Sequence, residues 1–197
     1  MKPSGEFYAL YLLGSRVYKT NHSFSDWDYI GIKDGANLGE MDMGLINLKV
    51  MSPEHFQGLL FEHSVSALEA LFLPEDLVIQ PPVKKWKFKL SLSKLRHSFS
   101  QKSNNSFVKA KKKFESPYDW ARKERERGKK SLFHSLRILK FGIQIAKHGT
   151  IINYSEANDI FEEISYNSST SCDDYKKRWK PEFNSLATEF RKLAPKE

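Results

Sequence analysis

Apolar positions follow two different rhythms along this chain, and the change between them predicts its organisation. Up to Pro81-Pro82 the apolar runs are short and separated by turn residues, the pattern of strands mixed with short helices. Phe7–Leu13 predicts a buried strand. Lys2 stands ahead of it as in a signal peptide, but no small-residue cleavage site follows and the run leads straight into Gly14-Ser15-Arg16. Asp28–Lys33 predicts a second strand and Leu45–Val50 a third, with a glycine-rich loop from Gly35 to Gly44 between them. Ser52-Pro53 is a helix start, serine as N-cap and proline in the first turn, opening a helix that carries Phe56, Leu59 and Leu60. A further short helix, Ser66–Phe72, stops before Pro74.

Beyond the prolines Lys85–Leu90 alternates strictly, as a strand or a helix lead-in would, and the Ser/Asn-rich residues 96–106 predict a polar loop. From about Phe107 helical spacing dominates. A long helix is predicted over Lys129–His148, closed by Gly149; another begins at Ser155, and a last one runs from about Asp173 to Leu193. On the long helix Leu132, Leu136, Leu139, Ile143 and Ala146 share one face, while Ile138, Phe141 and Ile145 lie nearly opposite. A helix apolar on two sides is central to its domain. Lys130, His134 and Arg137 fall in the sector of Phe141, where each needs either an anionic partner or a stem long enough to carry its tip to water. The expected fold class is α+β. A small mixed sheet flanked by helices occupies residues 1–82, and a basic, mainly helical domain occupies residues 83–197.

Composition narrows the classes of function. The chain of 197 residues has one cysteine, Cys172, which excludes a disulfide framework and a cysteine zinc site and suits a reducing, cytoplasmic setting. No apolar run approaches the roughly 20 residues of a membrane span. The net charge of +8 divides unevenly, −6 over residues 1–82 and +14 over residues 83–197. That asymmetry predicts a metal-binding or catalytic half joined to a half that meets a polyanion; an uneven solvated surface is the plainer explanation.

The segment with chemical content is Gly14-Ser15-Arg16-Val17-Tyr18-Lys19, followed by Ser25-Asp26-Trp27-Asp28. A glycine at the end of a strand lets a ligand approach the backbone, and the turn after it offers N–H donors to phosphate. Residues two apart in a strand share a face, so Asp26 and Asp28 are expected to converge there and Trp27 to enter the core behind them. Two hard oxygen ligands suit Mg²⁺, and a metal pair bridging carboxylates and phosphates is a frequent device of phosphoryl transfer.

This segment resembles the signature of the DNA polymerase β-like nucleotidyltransferase superfamily: Gly-Ser, three residues, Gly, five residues, Ser-Asp-x-Asp. Every spacing is met, with Lys19 in place of the second glycine. A looser resemblance through Phe56, Leu68–Phe72, Lys130, His134-x-x-Arg137 and Gly149-Thr150-Ile151 is similar to the RlaP-type branch, which is associated with RNA repair and also found in phages. The resemblance implies that Gly14 and Ser15, with Arg16, Lys19 and Ser25 around them, hold a nucleoside triphosphate. It implies two Mg²⁺ ions on Asp26 and Asp28, and nucleotide contacts from Lys130, His134 and Arg137. The third carboxylate of the family aligns with Asn47, which has no charge and is no base. Asp42 is the nearest substitute, and Glu54 and Glu69 are more distant ones.

The expected function is Mg²⁺-dependent transfer of a nucleoside monophosphate from an NTP to a hydroxyl, with an RNA 3′ end, tRNA in particular, as acceptor. Lys111, Lys112, Lys113, Arg122, Arg125 and Arg127, flanking Tyr118 and Trp120, are the expected nucleic-acid contacts; a solvated helix face with local Glu pairs is the alternative. Two other readings stand beside it: transfer to a protein hydroxyl, as in toxin–antitoxin members, and a nucleotide- or RNA-binding module without turnover. His22 reads as a loop residue, His55 and His63 lack further ligands for zinc, and Tyr154 fits either a pocket wall or the core.

Overall fold

The computed structural model describes residues 7–115, 121–166, 173 and 175–196, without the side chains of residues 121 and 122. The chain forms two compact units, Met1–Leu90 and Ser91–Glu197.

The first unit is built on a five-stranded mixed sheet of order β3-β4-β2-β1-β5. Its strands are β1 (Ala9–Leu13), β2 (Trp27–Ile32), β3 (Gly39–Asp42), β4 (Ile46–Met51) and β5 (Val78–Gln80). β1 pairs antiparallel with β2 and β5, β2 runs parallel to β4, and β3 folds back antiparallel on β4. β3 lies inside the segment expected to be a loop. All four of its residues are exposed, so no buried alternation marks it in the sequence; it is an edge strand held by its hairpin with β4.

Three short helices serve this sheet: α1 (Ser15–Tyr18), α2 (Pro53–Phe61) and α3 (Val65–Leu71). The expected cap of α2 is present, Ser52 Oγ accepting the His55 amide at 3.2 Å. Phe56, Leu60, Ala67, Leu68, Leu10, Ile30, Ile32 and Met51 are all buried, with Phe56 stacked on Tyr11. Residues 83–90, expected in the second domain, belong to the first unit, and within them Lys85–Leu90 is not a strand but leads into the helix capped by Ser91. They form an irregular strap on the first unit. Its alternation is real but serves packing: Trp86 meets Tyr8 and Phe56 and donates to Tyr11 Oη at 2.7 Å, and Phe88 packs on His63 and Phe72.

The second unit is helical. α4 (Leu92–Phe114) and α5 (Ala121–His148) are its long elements, followed by α6 (Asn158–Tyr166), a π-helical turn (Tyr175–Trp179) and α7 (Lys180–Leu193). The Ser/Asn-rich stretch 96–106 is thus helix, not loop. Ser91 caps it by accepting from the Lys94 amide, and Leu95, Phe99, Ser103, Ser106, Ala110 and Phe114 recur at helical spacing on its buried side. Serine there is a spacer: Ser103 Oγ donates to the Ser135 carbonyl at 2.8 Å, and Ser135 Oγ to the Leu132 carbonyl at 2.7 Å, both buried. α5 is buried on both predicted sides, with Leu132, Leu136, Ile138, Phe141 and Ile145 fully enclosed. Gly149, at φ 74°, closes it by donating to the Ile145 carbonyl. Tyr154 belongs to the core, edge-on to Phe141 with ring centroids 5.3 Å apart. Cys172, Tyr118 and Trp120 lie outside the described residues.

Candidate active-site cleft

β1 ends at Gly14, which has φ 77° and ψ −158°, a region essentially closed to other residues. Space makes the same demand. A Cβ at this position would lie 2.2 Å from Asp28 Oδ2, so the Asp28 carboxylate presses on the backbone of the Gly14-Ser15 bend. Leu13 and Asp28 are register partners across β1 and β2, which brings the strand end and the acid together. From Gly14 the chain turns into α1, and the Val17 and Tyr18 amides donate back to the Gly14 carbonyl. The first amides of a helix have no acceptor within it, and here they belong to Ser15 and Arg16.

The other oxygen of Asp28 is held as well. Asn47 Nδ2 donates to Asp28 Oδ1 at 3.1 Å, the two residues being register partners on parallel strands. Asp42 is the partner of Asn47 on the other side. Residues paired directly across strands share a face, so Asp28, Asn47 and Asp42 form a row across β2, β4 and β3. The row lines a cleft of about 500 Å³, together with Glu40, Lys49 and Ser66. Asp42 Oδ1 accepts the Gly44 amide at 3.0 Å, which fixes the hairpin and orients the carboxylate.

Asp26 directly precedes the first residue of β2 and is exposed. Trp27 is not a core residue. It is 37% exposed, stacks on Tyr29 and carries the Arg16 guanidinium 3.7 Å above its ring. Arg16 also donates to the Ser25 carbonyl at 2.7 Å, and Ser25 Oγ accepts from the His22 amide, so Arg16 and Ser25 together fix the loop that leads into β2. Lys19 ends α1 in the left-handed region, φ 60° and ψ 34°, with its side chain exposed. Glu69 is buried and accepts from Tyr18 Oη at 2.7 Å, and Glu54 is exposed in the first turn of α2.

Among the described residues no group of three His, Cys, Asp or Glu side chains gathers around a metal position. The cleft nevertheless offers a hard-oxygen donor set in Asp28, Asp42 and the Asn47 carbonyl, and the glycine bend leaves room against Asp28 Oδ2 for nothing larger than a hydrogen. Mg²⁺ is commonly held by one or two carboxylates plus the substrate's phosphates, and this set fits that mode. His63 is buried against Phe88 with Nδ1 3.1 Å from the Phe61 carbonyl, and His55 is exposed.

In the helical unit, Arg137 is not placed as a phosphate ligand. It is 1% exposed, lies over the Phe141 ring and donates to His134 Nδ1 at 2.9 Å. His134 is therefore neutral; burial, with Arg137, Lys102 and Lys109 nearby, pushes its pKa down to about 3. Of the expected nucleic-acid contacts, Lys111 pairs with Glu115, and Lys113 and Arg127 both pair with Glu124. Those two cations hold the Glu124 carboxyl below its usual range. Lys112 and Arg125 are exposed. No helix among the described residues is long and apolar enough to cross a membrane. No family model matches the chain, and no curated protein matches it.

Proposed function

We propose that this protein is a nucleotidyltransferase of the polymerase β-like kind, moving a nucleoside monophosphate from an NTP to a hydroxyl, with RNA as the acceptor class. The observation that carries the reading is the Asp28 carboxylate seated against the Gly14-Ser15 bend, with Asp42 across Asn47 from it in the same cleft. The backbone amides of Ser15 and Arg16 receive the triphosphate's outer oxygens. Asp28, with one oxygen held by Asn47, and Asp42 are the ligands for Mg²⁺. The ion, when bound, lowers the pKa of the acceptor hydroxyl and neutralises charge on the phosphates. The hydroxyl oxygen forms a bond to the α-phosphorus, the bond from that phosphorus to the α–β bridging oxygen breaks, and pyrophosphate leaves with the electron pair. Asp42 takes the hydroxyl proton. Exposed Asp26 is assigned to the mouth of the site, and the net charge of +14 beyond Pro82 supports RNA over a protein acceptor.

One observation favours a second reading. Asn47 stands where a carboxylate is expected and turns its amide nitrogen to Asp28, which suits a site that binds nucleotide without turning it over. Incubation with α-labelled NTPs, Mg²⁺ and RNA decides between them. Label should pass to RNA, and Asp42→Asn should lower the rate by about 100-fold or more, the usual worth of a general base. NTP binding with no pyrophosphate release, even in Asn47→Asp, would establish the binding module instead.

A further inference from the structure

Lys102 and Lys109 stand two turns apart on α4, and Lys130 stands on α5; with Asn105, Ser131 and His134 they line a groove of about 460 Å³ within the helical unit. Four basic neighbours on the same helices are engaged internally, Lys111 with Glu115, Lys113 and Arg127 with Glu124, and Lys129 with Glu126. Lys102, Lys109 and Lys130 differ: among the described residues none of the three makes an ion pair. Three like charges around one concavity repel each other, and a ligand bringing several negative charges relieves that repulsion. The groove wall between them is polar and uncharged. His134 accepts from Arg137 through Nδ1, which leaves Nε2–H as a donor, and Asn105 and Ser131 add neutral hydrogen-bonding groups.

We propose that this groove binds the phosphate backbone of single-stranded nucleic acid, with Lys102, Lys109 and Lys130 meeting separate phosphates. Seven residues of helix separate Lys102 from Lys109 by about 10 Å along the axis, a span that suits successive phosphates of a strand better than the compact tail of one nucleotide. A single strand can bend into a cleft between two helices. Duplex, stiff over many times this length, presents its phosphates on a convex surface. Lys109 and Lys130 stand at the ends of the two basic runs of the sequence, whose Lys111, Lys113 and Arg127 are occupied by carboxylates. The site does not depend on chemistry at Asp28.

Fluorescence anisotropy of a labelled single-stranded RNA with the full chain tests this. The triple variant Lys102→Gln, Lys109→Gln, Lys130→Gln should bind about tenfold or more weakly. Its plot of log affinity against log salt should be less steep by about 2, from roughly 0.7 for each phosphate that a lysine no longer neutralises. A charge-matched variant, Lys85→Gln, Lys176→Gln, Lys177→Gln, and Asp28→Asn should both stay close to wild type. Circular dichroism verifies that each variant is folded. Equal weakening in the charge-matched variant would overturn the proposal. So would duplex binding as tight as single-strand binding, or full displacement of RNA by ATP at equal phosphate concentration. If Asp28→Asn abolishes nucleotidyl transfer while RNA affinity is retained, the two proposals are separated; if transfer is never observed, the binding result still stands or falls alone.

Discussion

Lys19 holds a backbone conformation that glycine adopts freely and other residues adopt at a cost of about 1–2 kcal/mol. Its φ of 60° and ψ of 34° lie in the left-handed region that favours glycine. Lys19→Gly should therefore raise stability by about 1 kcal/mol, read as a higher denaturant midpoint with an unchanged slope. Gly14 is the opposite case. Gly14→Ala meets both a forbidden conformation and Asp28 Oδ2, and should lower stability by about 2 kcal/mol or more in the same measurement. His134 gives a prediction in pH. Its folded pKa, about 3, lies below the ordinary 6.5, so the unfolded chain binds a proton first as pH falls. The stabilisation is complete above pH 6.5 and is lost progressively from there down to about pH 3, at up to about 1.4 kcal/mol per unit. Stability curves of wild type and His134→Gln, whose amide oxygen can also accept from Arg137, should converge in slope above pH 6.5 and diverge below it.

At the scale of elements, the sequence was legible wherever burial imposed a period. β1, β2, β4, α2 and the two-sided α5 follow from apolar spacing and a serine-proline cap. Two elements were hidden for opposite reasons. β3 is exposed at every residue, so its pairing with β4 leaves no apolar mark. α4 over residues 96–106 is buried through serines, which read as loop residues until the facing Ser135 carbonyl is seen to receive Ser103 Oγ. Close helix packing also explains Gly142. Helix propensity alone favours Gly142→Ala by up to about 1 kcal/mol, but the new Cβ would lie 2.9 Å from the Phe190 ring and 3.2 Å from that of Phe99, both fully buried. Overpacking costs about 1–3 kcal/mol and wins; a lower melting temperature of Gly142→Ala checks it.

At the scale of the whole molecule, charge is unevenly divided. The −6 portion contains the carboxylate cleft and the +14 portion the groove lined by Lys102, Lys109 and Lys130. If RNA is the acceptor, its KM should rise about tenfold between 50 and 200 mM salt while that of the NTP changes much less, since only the strand exchanges several counterions. Steady-state kinetics at the two salt concentrations measure the difference.

By itself the sequence determined the strands and helices that bury one face and the acid-to-base change in charge. These are properties of local period and composition. Only the tertiary structure decided that Asp28, Asn47 and Asp42 form one row, that Asp28 meets the Gly14 bend, that Arg137 is enclosed, and which lysines line the groove between α4 and α5. Each of these depends on strand register or on which helix faces which, and contacts between residues distant in the chain carry no periodic signature.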